Sequence, residues 1–292
     1  MIKNFVIITS DSDAASNTMK EILIENEIFE ITKTNKYTSS CSQVNTSNYK
    51  SFNSVKHDNI VLISTSNSLI TLNDLSNMLP STDQMLIFLS KHVSKSETPS
   101  LTSHSTGNFE ESTMFGGRPK ELGNTFPSFQ KQYMKKIYER KDQFPEYDIT
   151  IEATHHGPTY PGNPMLFIEI GSTQTQWNDR LVASLVCRCV IDTIKEIQSG
   201  KNSYNGNDIS IGIGGTHYPT KFNDLILFSN IAFGAIVSKH NLKYLDIPMI
   251  NQMIEKSIQN INFIHVEEKG LGKEKAKVIP ILNDIDIEKI FV

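Results

Sequence analysis

Cysteine is scarce: the 292-residue chain has three, Cys41, Cys187 and Cys189, none in C-x-x-C spacing. An odd number without that spacing argues against a disulfide scaffold and against a Cys-rich zinc site. Cys187 and Cys189 fall in an apolar run of helical period and read as packing residues. Long hydrophobic runs are missing too. The first, residues 5–8, is followed at once by Asp11 and Asp13, too short for a signal-peptide core or a membrane span, so a cytoplasmic protein off the membrane is expected. Excess positive charge is also absent. With 28 Lys+Arg against 32 Asp+Glu the formal net charge is -4 and the pI about 6.1, so any polyanion contact must rest on a local basic patch. Nor is there an H-E-x-x-H, a G-x-S-x-G or a G-x-x-x-x-G-K, which counts against peptidase, α/β-hydrolase and nucleoside triphosphatase readings.

What is present is globular: 38% hydrophobic and 21% charged residues, in a chain long enough to bury a large core. Buried strands are predicted at residues 3–9, 59–64, 84–90, 165–170, 209–213 and 231–238. Between them, helical periodicity predicts helices over 14–25, 126–141, 177–197 and 246–260, and a short one over 69–79. Residues 223–229 suit either a strand or a helix, and residues 28–44 show too little alternation to place. Strands alternating with helices predict an α/β fold, with a mixed or mostly parallel central sheet flanked by helices. The expected organisation is one domain over 1–292, with a polar segment inserted around 91–125 that reads as a loop lining the site.

The chain is organised around D-I-T-I-E-A-T-H-H-G-P-T at residues 148–159. A short strand delivers Glu152, His155 and His156 to its carboxyl end, the usual ligand position in an open α/β sheet. Adjacent histidines in a strand would point to opposite faces, whereas a turn, favoured here by Gly157 and Pro158, lets both rings reach one ligand. I-S-I-G-I-G-G-T-H-Y at 209–218 repeats the grammar, with a strand, glycines and then His217. In all, six of eight histidines (92, 104, 155, 156, 217 and 240) fall in or just after loops that end predicted strands. His57 and His265 read as scattered structural histidines.

Imidazoles beside Glu152 and Glu169 have the composition of a zinc site, and bound zinc would acidify a water and polarise a carbonyl. A metal-free scheme fits the same residues, with a histidine as general base and backbone N–H groups near Gly214 and Gly215 as an oxyanion hole. Both schemes suit ester hydrolysis.

Taken together, E-A-T-H-H-G-P-T at 152–159, G-I-G-G-T-H-Y at 212–218, S-K-H at 90–92 and L-T-S-H-S-T-G-N at 101–108 resemble the archaeal and plant D-aminoacyl-tRNA deacylase family. The likeness runs from the first strand to the carboxyl-terminal helix. It implies an arrangement like that of purine nucleoside phosphorylase and peptidyl-tRNA hydrolase. The implied activity is zinc-dependent hydrolysis, by a monomer, of the ester between a D-amino acid and the tRNA 3′ ribose. His92, His104, His155, His156, Glu152, Thr159 and His217 fall in its patterns. Metal ligands are expected among His92, His104, His155, His156 and His217, and catalytic groups among Glu152, His155, His156, Thr159 and His217. Lys91, Arg118 and Lys120 are expected to contact substrate, as are Gly214 and Gly215, with Lys95, Lys131, Lys135, Lys136 and Lys239 as further candidates for a tRNA-binding patch. The alternatives are a peptidyl-tRNA hydrolase, another zinc-dependent hydrolase of the same fold, or a non-enzymatic tRNA-binding protein.

Overall fold

The structure, a computed structural model, describes residues 2–26, 29–38, 46–54, 59–75, 79, 83–200 and 208–292. His57 and Cys41 lie outside them. In chain order the elements are β1 (Asn4–Ser10), α1 (Ala14–Glu25), β2 (Phe29–Thr38), β3 (Thr46–Ser54), β4 (Ile60–Thr65), β5 (Gln84–Val93), β6 (Ser100–His104) and α2 (Pro127–Tyr138). They continue with β7 (Asp148–Ile151), β8 (Met165–Ser172), α3 (Gln174–Trp177), α4 (Arg180–Gln198), β9 (Asp208–Ile213), α5 (Thr220–Phe228) and β10 (Ile231–Val237). The last are α6 (Ile247–Glu255), β11 (Phe263–Val266), α7 (Glu268–Leu271), α8 (Lys275–Asn283) and β12 (Glu288–Phe291).

Near-continuous apolar runs such as N-F-V-I-I-T-S in β1 belong in strands covered on both faces, and β1 lies between parallel neighbours β4 and β5. The eight-stranded sheet runs β2-β3-β4-β1-β5-β8-β6-β7, and a four-stranded sheet runs β10-β9-β11-β12. The second is wholly parallel; the first is mixed, with antiparallel pairs β2–β3, β3–β4 and β6–β8. The α/β expectation holds.

Helix α1 starts where Asp13 accepts from the Ser16 N–H, and α4 where Asp179 accepts from Leu181 and Val182. The apolar face of α4 packs Val182, Val186, Val190 and Ile194 into the core, each contributing about 1.5–3 kcal/mol on leaving water. Cys187 and Cys189 are buried in that face as free thiols. Among the described residues no helix is long and apolar enough to cross a membrane.

Three expectations change. Among the described residues of 69–79 there is a single 3-10 turn at Leu69–Thr71 rather than a helix; of the two readings of 223–229 the helix holds, with 223–228 inside α5. Trp177 closes the short α3 instead of opening the long helix, because Asp179 caps a fresh start at Arg180. The hydroxyl-rich stretch read as loop contains β6, buried throughout between β8 and β7. Its serine hydroxyls find partners inside: Ser103 Oγ accepts from Gln130 Nε2 at 3.1 Å, and Ser100 Oγ meets Ser172 Oγ at 3.4 Å, while the buried Thr102 hydroxyl has none. A polar strand is stable in the core when its donors and acceptors are met there.

Candidate active site

Strand register builds one wall. Ser90 lies opposite Glu169 and His92 opposite Gly171 in β5–β8, while Thr102 faces Glu169 and His104 faces Phe167 in β6–β8. Side chains alternate along a strand, so Ser90, His92, Glu169 and His104 share one face. A second wall comes from the end of β7, where Glu152 donates its N–H to Ser103. Just beyond, the Ala153 and Thr154 N–H groups reach the His217 and Ile236 carbonyls, joining the two sheets at the site.

His156 holds φ at +42°, a left-handed conformation uncommon outside glycine, and its carbonyl accepts from Gly107 N–H at 2.8 Å. That turn brings the His155 and His156 ring centroids to 4.4 Å, and the His104 ring lies 4.1 Å from one and 4.6 Å from the other. All three rings turn Nδ1 to a main-chain carbonyl. Nδ1 of His155 donates to the Ala153 carbonyl at 2.8 Å, Nδ1 of His156 to the Gly157 carbonyl at 2.6 Å, and Nδ1 of His104 to the Ser105 carbonyl at 3.1 Å. A carbonyl only accepts, so each Nδ1 carries the hydrogen and each Nε2 of the neutral ring is left as a lone pair. One ligand atom from each of the three lies within 4.8 Å of the others. His104 Nε2 is buried without a hydrogen-bond partner, 3.8 Å from Glu169 Oε1. Three imidazoles that each bring a ligand atom within 4.8 Å of the others, each ring fixed by a main-chain acceptor, fit a divalent cation.

Burial, followed by the field of His104, holds the His155 imidazole well below its ordinary value; the same causes bring His156 down to about 4. Burial also opposes charge on His104, but the nearby Glu169 carboxylate, followed by that of Glu152, outweighs it and raises that ring. At 3.8 Å the separation exceeds hydrogen-bond length, so the carboxylate increases the basicity of the lone pair without occupying it.

His92 is placed differently. Its Nδ1 lies 3.2 Å from both Glu169 Oε2, to which it is hydrogen-bonded, and Glu152 Oε1, and its Nε2 lies 2.8 Å from the Tyr218 hydroxyl. Both ring nitrogens are engaged by protein partners, and His92 forms with Glu152 and Glu169 a second group whose ligand atoms lie within 4.8 Å of one another. With Ser90 donating to Glu169 at 2.6 Å, His92 ties the two carboxylates together. Glu152 Oε1 is left buried without a hydrogen-bond partner, while Oε2 accepts from His217 Nε2 at 2.7 Å. His217 thus carries its hydrogen on Nε2 and keeps Nδ1 as an acceptor, with a side chain 41% exposed.

Except for Tyr218 and the fully buried His104, these groups line a cavity of about 570 Å³ that also takes in Asp13, the α1 cap, and Lys91. Other predicted residues lie elsewhere. Gly214 gives its N–H to the Val237 carbonyl, and neither it nor Gly215 lines the cavity, so the oxyanion hole expected there is not formed by Gly214. Thr159 is buried and accepts from the Arg118 N–H at 2.8 Å, anchoring a loop instead of facing the cavity. His240 is exposed in a turn, and His265 is a satisfied core histidine 2.8 Å from Ser210 Oγ.

The basic patch shrinks. Lys131 is buried, donating to the Ile226, Ser229 and Ile231 carbonyls at 2.8, 2.6 and 2.9 Å, and Lys136 pairs with Glu196 at 2.5 Å. Arg118 and Lys120 are exposed, but Glu121 and Glu111 stand 3.6 Å from them. Lys91, over the Trp177 ring at 5.2 Å, the half-buried Lys135 and the exposed Lys95 and Lys239 remain. Sequence reading also missed Tyr218 as a partner of His92. Its place beside His217 in G-G-T-H-Y was the available signal.

A mixed α/β fold carrying this cluster of imidazoles and carboxylates in a cavity has the machinery of a water-activating hydrolase. A family model described as D-aminoacyl-tRNA deacylase matches residues 80–290. The chain belongs to that family. It is 41% identical over 204 residues to a D-aminoacyl-tRNA deacylase of Cenarchaeum symbiosum (strain A), covering 70% of this chain and 76% of the relative. It is 36% identical over 209 residues to one from Methanococcus maripaludis (strain C7 / ATCC BAA-1331), covering 70% and 80%. A crystal structure described as a conserved protein of unknown function superposes with a TM-score of 0.83 at 26% identity, covering 99% of this chain and 95% of that one.

Proposed function

We infer that the chain is a D-aminoacyl-tRNA deacylase, hydrolysing the ester between a D-amino acid and the 3′ ribose of tRNA. The observation that carries the mechanism is the 2.7 Å contact of His217 Nε2 with Glu152 Oε2 beside three clustered imidazoles. His104, His155 and His156 would hold zinc, which when bound polarises a carbonyl and acidifies a water. Glu152 holds His217 in the tautomer with hydrogen on Nε2, so its Nδ1 takes the proton of the attacking water. The water oxygen bonds to the ester carbon, the bond from that carbon to the ribose oxygen breaks, and the imidazolium returns its proton to the leaving oxygen. His92 is a positioning residue. It holds Glu152 and Glu169 in place under the metal ligands.

Lys91, Lys95 and Lys239 lie where they can meet the tRNA backbone, so affinity should fall between 50 mM and 200 mM salt. We propose a monomer acting in the cytoplasm, as the family resemblance implies. One core cluster runs from Phe5 of β1 to Phe233 of β10 and a second, from Phe109 to Leu282, packs the β10-β9-β11-β12 sheet; the Ala153 and Thr154 N–H groups join the two sheets, which supports a single domain over 1–292.

The test is hydrolysis of D-Tyr-tRNA against L-Tyr-tRNA before chelation, after it and after zinc add-back. D-selective turnover lost on chelation and restored by zinc is the expected result. Turnover that survives verified metal removal would exclude zinc from the chemistry, and no turnover of either ester by metal-replete protein would exclude the deacylase.

A further inference from the structure

At the mouth of the cavity stands an aromatic side chain that the hydrolytic chemistry does not use. Phe115 lines the cavity and is 65% exposed; its neighbour Met114 is 81% exposed, and Val93, also on the cavity lining, 66%. Isolated exposed apolar residues are common on any surface. Phe115 differs because its backbone is fixed. Its carbonyl accepts from the Gly157 N–H at 3.0 Å, and the Gly116 carbonyl accepts from Asn108 Nδ2 at 2.8 Å. Thr159 Oγ1 holds the Arg118 N–H at 2.8 Å. The contact is backbone on backbone: a Cβ added at Gly116 would lie 1.8 Å from the Ile70 carbonyl oxygen, and one at Gly157 2.0 Å from the Gly117 nitrogen. Asn108, Gly157 and Thr159, motif residues without a role in bond breaking, thus hold a rigid loop one step from the His155–His156 turn. That loop presents a phenyl ring to solvent.

The chemistry of the loop selects its ligand. Arg118 and Lys120 each face a carboxylate at 3.6 Å, so the loop offers a flat apolar surface instead of net positive charge. A flat apolar ring on the rim of a polar cavity suits the face of a nucleobase better than a phosphate. We propose that Phe115 is the stacking platform for the adenine of the 3′-terminal nucleoside, with the ester on its ribose reaching inward to the histidines. This rests on the deacylase reading. It adds the subsite that recognises the nucleoside.

Calorimetry with AMP and with ribose 5-phosphate, on the wild type, F115A and F115W, tests it, with D-Tyr-tRNA hydrolysis measured in parallel. AMP should bind more tightly than ribose 5-phosphate. Its Kd should rise about tenfold in F115A and be kept in F115W, while the KM for D-Tyr-tRNA rises in F115A. An AMP Kd unmoved by F115A, or no tighter than that of ribose 5-phosphate in the wild type, overturns the platform. If F115A does not fold, F115W decides, because a tenfold weaker AMP Kd there also overturns it. Normal AMP binding with no hydrolysis of D-Tyr-tRNA would overturn the deacylase reading and leave the platform standing.

Discussion

Glu152 and His217 are 65 residues apart in sequence, yet the Glu152 carboxylate accepts from His217 Nε2 at 2.7 Å. The carboxylate is fully buried and the imidazole partly open to the cavity. Glu152→Gln should lower kcat for D-Tyr-tRNA by about 10²–10⁴-fold with KM little changed, and His217→Ala should do the same. Single-turnover kinetics separate the chemical step from binding. A Glu152→Gln variant with wild-type kcat would remove this pair from catalysis.

His104→Ala, His155→Ala and His156→Ala should each lose zinc after dialysis, read by elemental analysis, and lose the rise in Tm that zinc gives the wild type. At free zinc about 100 times Kd that stabilisation is about 2.7 kcal/mol. His240→Ala, altering an exposed turn, should keep both. Full zinc content in His156→Ala would place the metal elsewhere.

The His92 ring predicts an alkaline loss of stability. Burial disfavours its charge, but hydrogen bonds and charges of Glu152 and Glu169 outweigh that and raise it from 6.5 to about 11. Between those values the native state binds more protons than the unfolded one. The contribution is therefore complete below pH 6.5 and is lost as pH rises through about 11. Urea midpoints measured from pH 7 to 10 should fall less steeply in His92→Gln than in the wild type. Parallel curves would show that this cluster is not the source.

Lys131 serves the fold. Replacing it by Met leaves the Ile226, Ser229 and Ile231 carbonyls without their ammonium donor and should cost about 3 kcal/mol of stability. Denaturant midpoints at constant m-value would report it, and a loss below about 1 kcal/mol would mean that water replaces the ammonium.

Thr159→Val should act through the Phe115 loop. Removing the Oγ1 that accepts from Arg118 frees one side of that loop, so KM for D-Tyr-tRNA should rise while zinc content stays at the wild-type level. A fall in zinc content instead would mean that Thr159 supports the histidine turn.

Local pattern determined the elements that are apolar and periodic. Residues 3–9 and 84–90 read as strands and 177–197 as a helix because burial demands unbroken or 3.6-periodic apolar residues, and the structure has β1, β5 and α4 there. The same signal failed at β6, whose Ser-Leu-Thr-Ser-His carries serine hydroxyls that find their partners in α2 and β8. It also failed at Lys131, because the three carbonyls that bury it arrive from α5 and the turn into β10.

The site divides along the same line. Sequence alone determined its ingredients: Glu152, His155 and His156 at one strand end, His217 after another, and a motif set that resembles one family. Which histidine does what depends on pairings across strands, and those belong to the tertiary structure. Register puts His92 and His104 on one face with Glu169, yet engages both nitrogens of His92 and leaves His104 Nε2 without a partner. The left-handed turn at His156 and the packing of Gly116 on Ile70 then decide where the imidazoles cluster and where Phe115 stands. A ring nitrogen's role is set by the partner of the other nitrogen, and that partner is chosen by folding.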